Sequence, residues 1–307
     1  MNNRLILETD QKDCFDESGN IIPCSDSGQD AEYNKDGIGA KHRFKACNDI
    51  VEDNLTGLSW CKNANLSGFP LTWQEALDYV VDINSSTLFG CSNWRLPSRR
   101  ELFSLISHQY INPTLPKGNP FINVFPGYYW TKTTCNRIED QAWYIHLGGG
   151  RIYRGMKHGS YMVWPVSGPE QHHGIEPERF VIEEMYLRDR LTGLLWLKHQ
   201  NLTGQPVSWK EAFSAVELLN RRKIGGYSNW RLPNIRELES ITDMGSHSPA
   251  LCNSHPFQKM GDGFWSSTTS VFEPSYAWIL YTQDGAIGVG FKSLPEFYIC
   301  AVSNGSD

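Results

Sequence analysis

Apolar residues along this chain recur in short phased groups, each introduced by a polar signal that fixes where an element begins. Thr72-Trp73-Gln74-Glu75 is a capping box, in which hydroxyl and carboxylate satisfy amide donors that a helix start leaves open. Ala76, Leu77, Val80, Val81 and Ile83 follow, so a helix is expected there. Ser208-Trp209-Lys210-Glu211 gives the same signal, followed by Ala212, Phe213, Val216, Leu218 and Leu219. A shorter helix is expected after Ser98-Arg99-Arg100-Glu101, carrying Leu102, Leu105 and Ile106. Another follows Asn234-Ile235-Arg236-Glu237, where asparagine is the cap. Ahead of each first helix, a Leu-Thr-Gly turn separates two strand-like runs, the second ending in Trp. After the short helix at 98–106, a loop holding Pro113, Pro116, Pro120 and Pro126 leads to Tyr129-Trp130-Thr131. Strands are expected at 142–147, near 151–154 and at 161–166, with a glycine turn at 148–150. The order ββ-α-α-loop-βββ describes an α+β domain whose ends lie side by side if its first and last strands pair.

These signals come twice because the chain contains itself twice. Residues 53–62 read DNLTGLSWCK and residues 189–198 read DRLTGLLWLK, with seven of ten positions identical at an offset of 136. Residues 89–106 and 225–242 share eleven of eighteen positions at that offset, around a common SNWRLP. Trp60, Trp73 and Trp94 answer to Trp196, Trp209 and Trp230; one deletion later, Trp130 and Trp143 answer to Trp265 and Trp278. The expected organisation is an N-terminal segment at 1–43, a first repeat at 44–167, a polar Pro/Gly linker at 168–179 and a second repeat at 180–303. A period this long indicates duplicated globular domains rather than a solenoid. All eleven Trp fall inside the repeats, which assigns them first to the fold.

Charge and cysteine usage narrow the function. The formal net charge is −6 with no Lys/Arg stripe, which argues against nucleic acid as the partner. No apolar run is long enough to span a bilayer. The cysteines are Cys14, Cys24, Cys47, Cys61, Cys91, Cys135, Cys252 and Cys300, none in a C-x-x-C pair. Their even number fits four disulfides in an oxidising compartment, against the alternative of buried thiols. Cys14 and Cys24 flank the turn-forming Asp16-Glu17-Ser18-Gly19-Asn20 and could face each other across a hairpin. Cys47 and Cys61 are equidistant from Asn54, which would set them opposite each other; Cys91–Cys135 and Cys252–Cys300 follow by elimination. No signal-peptide core opens the chain, so it is expected to be the mature or engineered form of an exported protein.

The blocks Leu-Thr-Gly-Leu-x-Trp, Thr/Ser-Trp-x-Glu-Ala, Ser-Asn-Trp-Arg-Leu-Pro-x-x-x-Glu-Leu and Trp-Thr/Ser-x-Thr-Thr occur in this order in both repeats. In these blocks the chain resembles the Lcl C-terminal domain family. The resemblance implies a C-type-lectin-like fold related to that of the formylglycine-generating enzyme. It also implies export and, as in the family's namesake, surface adhesion with binding to sulfated glycans. The namesake's collagen-like Gly-X-Y tract is absent here.

Arg95 and Arg231 recur with Glu101 and Glu237 six residues on, beside Trp94 and Trp230, and are expected to be structural ion pairs. His172 and His173 in the linker have no signposted co-ligands, and no metal site or cofactor is expected. Glu273-Pro274-Ser275 matches a lectin calcium motif only partly. Neither a nucleophile elbow, a zinc-protease pattern, a P-loop nor a dinucleotide fingerprint occurs, so no enzyme is expected. Tyr128, Tyr129, Arg151, Tyr153 and Arg154, with Lys157 and His158 nearby, concentrate aromatic faces and cations late in the first repeat. Gly288 and Val289 stand where Tyr153 and Arg154 would recur, so that patch is not a shared need of the fold. Aromatic rings stack on sugars, and guanidinium groups pair with sulfate or carboxylate. The expected function is an exported, non-enzymatic binding protein or adhesin for a surface polymer, an acidic or sulfated glycan. The alternative is a structural subunit of a surface layer, fibre or pilus-associated assembly, contacting protein and able to self-assemble.

Overall fold

The computed structural model describes residues 8–34, 40–170, 179–251 and 255–305. They divide into two compact units, one holding 40–170 and the other holding 8–34 together with the second repeat.

Each repeat is α+β with two antiparallel sheets. In the first, Phe44–Cys47, Ile50–Asp53 and Leu58–Cys61 run as a meander, and Val166–Ser167 pairs with the third strand to bring both ends of the repeat together. The Leu-Thr-Gly turn forms as the sequence requires. Gly57 takes φ 73°, and its amide donates to the Asp53 carbonyl at 2.7 Å. The helices Trp73–Ser85 and Arg99–Ser104 both open on complete capping boxes, at Thr72 and Ser98. A second sheet, Tyr128–Thr134, Gln141–His146 and Ile152–Met156, follows the proline-rich loop. The strand expected at 161–166 shrinks to isolated bridges and the pair Val166–Ser167.

The second repeat reproduces this plan. Phe180–Ile182, Tyr186–Asp189, Leu195–Leu197 and Val302–Ser303 form one sheet. Gly263–Thr269, Tyr276–Tyr281 and Ile287–Phe291 form the other, and Trp209–Arg221 and Ile235–Ser240 are the helices.

The recurrent tryptophans lace these elements together. Trp73 at the helix start donates its indole N–H to the Thr131 carbonyl at 2.9 Å, and Trp130 beside Thr131 donates back to the Leu71 carbonyl at 2.9 Å. Trp209 and Trp265 make the same exchange with Ser266 and Val207, each at 2.8 Å. An indole thus supplies a large apolar area while its one donor is satisfied. Buried bidentate ion pairs close the other side. Arg43 grips Asp53 and also donates to the Ser104 carbonyl, while Arg179 grips Asp189 and the Ser240 carbonyl.

One disulfide is present among the described residues, Cys14–Cys24, across a hairpin whose turn is held by Asp16. The expected Cys47–Cys61 bridge does not form. The chain reverses twice, at Asn48-Asp49 and again after Asp53, so Ile50 lies between the two cysteines: Cys47 faces Ile50, and Ile50 faces Cys61. Two strand spacings of about 4.8 Å exceed the roughly 7 Å that a disulfide can span. Cys91 and Cys135 are also unbridged. Cys91 ends the turn Leu88–Gly90 within electrostatic reach of Cys61, whereas Cys135 extends the strand Tyr128–Thr134, where its amide donates to the Gln141 carbonyl. Cys300 is a buried thiol, and its expected partner Cys252 lies outside the described residues.

The segment 8–34 is docked on the second repeat by specific bonds. Thr268 and Thr9 both donate to the buried Asp30 carboxylate, at 2.6 and 2.7 Å. The Gln11 side chain pairs with the Thr269 backbone like an added strand, at 2.7 and 2.9 Å. Lys292, fully buried, sits 4.1 Å above the Trp209 ring and donates to the carbonyls of Phe15 and Asp16. Burial outweighs the nearby Asp16 and Glu17 and pulls the Lys292 ammonium down to about 7. Burial likewise pushes Asp30 up to about 6, against its threonine bonds, with Glu237 raising it further and Arg231 opposing. Unfolded, the lysine returns to 10.5, so between about 7 and 10.5 the folded repeat holds fewer protons and gains stability as pH rises. Asp30 acts oppositely: between 3.8 and about 6 the folded form holds more protons and loses stability as pH rises. The thermal midpoint of the second repeat is therefore expected to climb between about pH 7 and pH 9.5, and Lys292→Met should flatten the climb. An unchanged slope in that variant, followed by calorimetry, would refute the assignment.

Candidate functional site

The three-stranded sheet of the first repeat turns one face outward, and strand phase decides what stands on it. Tyr128 pairs with His146, Trp130 with Tyr144, and Tyr144 with Tyr153, so these side chains share a face. Tyr161 arrives from the following loop and lies on them. Its ring is 4.4 Å from Trp130, 5.0 Å from Tyr144 and 5.2 Å from Tyr128. Gly155 makes this approach possible, since a Cβ there would stand 2.7 Å from the Tyr161 hydroxyl. Tyr128 also meets Tyr144 at 4.9 Å and His146 at 4.8 Å. The result is a continuous aromatic surface in which Tyr128 is 45% and Tyr153 47% exposed.

Cations stand at its edge. Arg154, which by strand phase pairs with Trp143 on the opposite face, brings its guanidinium 4.9 Å over the Tyr153 ring, and Arg151 is exposed at the glycine turn. Of the residues expected from sequence, the structure therefore brings Tyr128, Arg151, Tyr153 and Arg154 to one region. Tyr129 is a correction. One residue out of phase, it points to the opposite face, fully buried, with its hydroxyl accepting from the Phe125 amide at 2.8 Å. It packs on Trp164 and belongs to the core. Tyr144, His146 and Tyr161 were not selected from sequence. For Tyr144 and His146 the signal was alternation with Tyr128 across one hairpin; Tyr161 needed the glycine notch.

Protonation on this face follows burial. Burial, then the neighbouring tyrosines, pushes Tyr144 up to about 12, and burial also raises Tyr161. Burial and Arg151 lower His146. Its Nδ1 accepts from the Gly149 amide at 3.2 Å, which leaves Nε2 as the N–H. At neutral pH the face presents uncharged hydroxyl groups beside fixed guanidinium charge.

The same face of the second repeat differs. Gly263 and Gly288 stand where Tyr128 and Tyr153 do in the first, and Phe297 covers Trp265 at 4.9 Å. A shallow depression of about 410 Å³ remains, lined by Tyr276, Tyr281, Phe291, Phe297 and Glu296, with no Lys or Arg. Arg95–Glu101 and Arg231–Glu237 form bidentate pairs at 2.7–2.8 Å with both carboxylates buried, and Trp94 and Trp230 are buried beside them. Glu273-Pro274-Ser275 is a turn on which Gly19 packs. Among the described residues no group of three His, Cys, Asp or Glu could hold a metal ion; His172 and His173 lie outside them.

Gly155→Ala is expected to displace the Tyr161 ring, changing the near-ultraviolet circular dichroism of the cluster and costing about 1–2 kcal/mol of stability. A spectrum and denaturation midpoint identical to the parent's would contradict this packing.

Among the described residues no helix is long and apolar enough to cross a membrane. A search of curated proteins gives no match. The family model of the Lcl C-terminal domain matches residues 49–167 and again residues 185–303. The two matches cover most of the chain and coincide with the two folded repeats, and the chain belongs to the Lcl C-terminal domain family.

Proposed function

We propose that this protein is an exported, non-enzymatic binding protein that takes an acidic or sulfated glycan on the aromatic face of its first repeat. One observation carries the reading. Tyr128, Tyr144, Tyr153 and Tyr161 form a stacking surface flanked by Arg151 and Arg154, and the second repeat, built on the same scaffold, lacks it. Such a surface offers sugar rings an apolar platform and hydroxyl donors, and offers sulfate or carboxylate groups a guanidinium partner. A role in binding rather than catalysis also fits two of the buried thiols. Burial holds Cys61 and Cys300 far above the ordinary range, as protonated, poor nucleophiles. Export accords with the Cys14–Cys24 bridge, since disulfides persist in oxidising compartments.

Dextran sulfate, compared with neutral dextran, tests the proposal. Binding to the sulfated polymer is expected to weaken as salt rises from about 0.05 to 0.5 M, because screening acts on exposed charge. The Arg151→Ala/Arg154→Ala double variant should lose at least about tenfold in affinity, the value of one charge-assisted hydrogen bond. Equal binding by the double variant, or equal binding of neutral dextran, would overturn the site.

A further inference from the structure

In the second repeat, four residues that recur in the first help to receive the N-terminal segment, beside Thr269, Phe213 and the turn Glu273-Pro274-Ser275. Trp209 and Lys292 stack under Phe15 and Asp16, Thr268 bonds Asp30, and Arg231 lies 5.4 Å beneath the Tyr33 ring. Each has an identical counterpart in the first repeat: Trp73, Lys157, Thr133 and Arg95. The correspondence is geometric as well as sequential. The Trp73 amide donates to the Lys157 carbonyl as the Trp209 amide does to that of Lys292, at 2.9 and 3.0 Å. Thr133 accepts from the Arg99 amide as Thr268 does from that of Ile235, at 3.0 and 3.1 Å. Lys157 holds its ammonium 4.7 Å over the Trp73 ring, matching Lys292 over Trp209.

What differs is the cover. Thr268, Thr269, Lys292 and Trp209 are all buried, whereas Thr133, Lys157 and Trp73 are half-buried and Thr134 is exposed. Beside them, Trp73, Leu77 and Val81 repeat every four residues along the helix, and Val81 is 61% exposed. The first repeat therefore keeps these groups on an open face, with Leu77 where Phe213 meets Gly28 and Glu139-Asp140 where Pro274-Ser275 meets Gly19. Trp73, Thr133 and Arg95 also have duties inside the repeat, so the weight of the match rests on Lys157 and on the exposure of the face.

We propose that this face of the first repeat receives the N-terminal segment, residues 8–34, of a second copy of the chain. The segment's shape is already set by its disulfide, so little ordering entropy opposes docking. Charge favours the contact at Lys157: the segment carries eight carboxylates and a single lysine, whereas Arg95 is paired with Glu101 and the exposed Glu139 and Asp140 border the site. Asp30 would accept from Thr133, Gln11 would pair with the exposed backbone at Thr134, and the carbonyls of Phe15 and Asp16 would take the Lys157 ammonium. One copy then donates a segment and another receives it on a different surface, a head-to-tail contact that links copies into a ring or an open chain according to the rotation it imposes. The donated segment leaves its own second repeat, so the contact between copies competes with the internal one.

The test is titration of the oxidised synthetic peptide 8–34 into the full-length protein, followed by calorimetry. One saturable site is expected. It should weaken at least about tenfold when Lys157→Ala is introduced in the protein or Asp30→Ala in the peptide, the value of one charge-assisted bond in each case. Lys157 is half exposed and the peptide variant leaves the protein untouched, so neither depends on a folding defect. Absence of binding would overturn the proposal. So would binding that ignores Lys157→Ala, or binding abolished by Thr268→Val, since that result places the peptide on the second repeat. Dextran sulfate binding should remain as in the free protein when the protein is saturated with the peptide, which separates this surface from the aromatic face.

Discussion

Each repeat depends on one buried carboxylate doing two jobs. Glu101 accepts both arms of Arg95 and, through the same oxygen that meets Nη1, the Ser98 amide that opens the second helix. The Arg95 backbone meanwhile exchanges both hydrogen bonds with Val166, at 2.9 Å each, so the end of the repeat is pinned to the residue that holds the helix. Glu237, Arg231, Asn234 and Val302 repeat the arrangement. A buried charge left without its partner costs about 3–5 kcal/mol, which makes the Arg and the Glu mutually obligatory. The hydrogen-bonding edge of each guanidinium is taken up by its carboxylate, which leaves its face for a ring such as Tyr33 over Arg231.

Because this clasp, the laced tryptophans and the Arg43–Asp53 and Arg179–Asp189 pairs recur, the repeats are two instances of one scaffold. Their differences then mark what the scaffold does not need. The first repeat spends its outer sheet face on tyrosines and arginines. The second has glycines and Glu296 there, and devotes its helix end to holding the N-terminal segment. Duplication has separated a surface that stays open from a surface that is covered.

Much of this was legible in the sequence because it is local. Capping boxes, the Leu-Thr-Gly turn and the Arg–Glu spacing are written within a few residues, and the repeat reads them out twice. The errors arose where a short feature changes a long register. Asn48, at φ 54°, turns the chain one strand earlier than expected, which separates Cys47 from Cys61. Tyr129 and Tyr128 adjoin in sequence, yet the pleat sends them to opposite faces. Tyr161 joins the aromatic surface only because Gly155 has no side chain. The docking of Gln11 on Thr269 spans 258 residues, beyond anything periodicity can report.

Hydrogen exchange of the full-length chain with and without dextran sulfate tests most directly that binding resides where the repeats differ. Slowed exchange confined to residues 128–134 and 144–161 of the first repeat, with the matching 263–269 and 279–297 of the second unchanged, is the result this account predicts. Equal protection in both repeats would contradict it, because the shared scaffold rather than the tyrosine and arginine face would then hold the ligand.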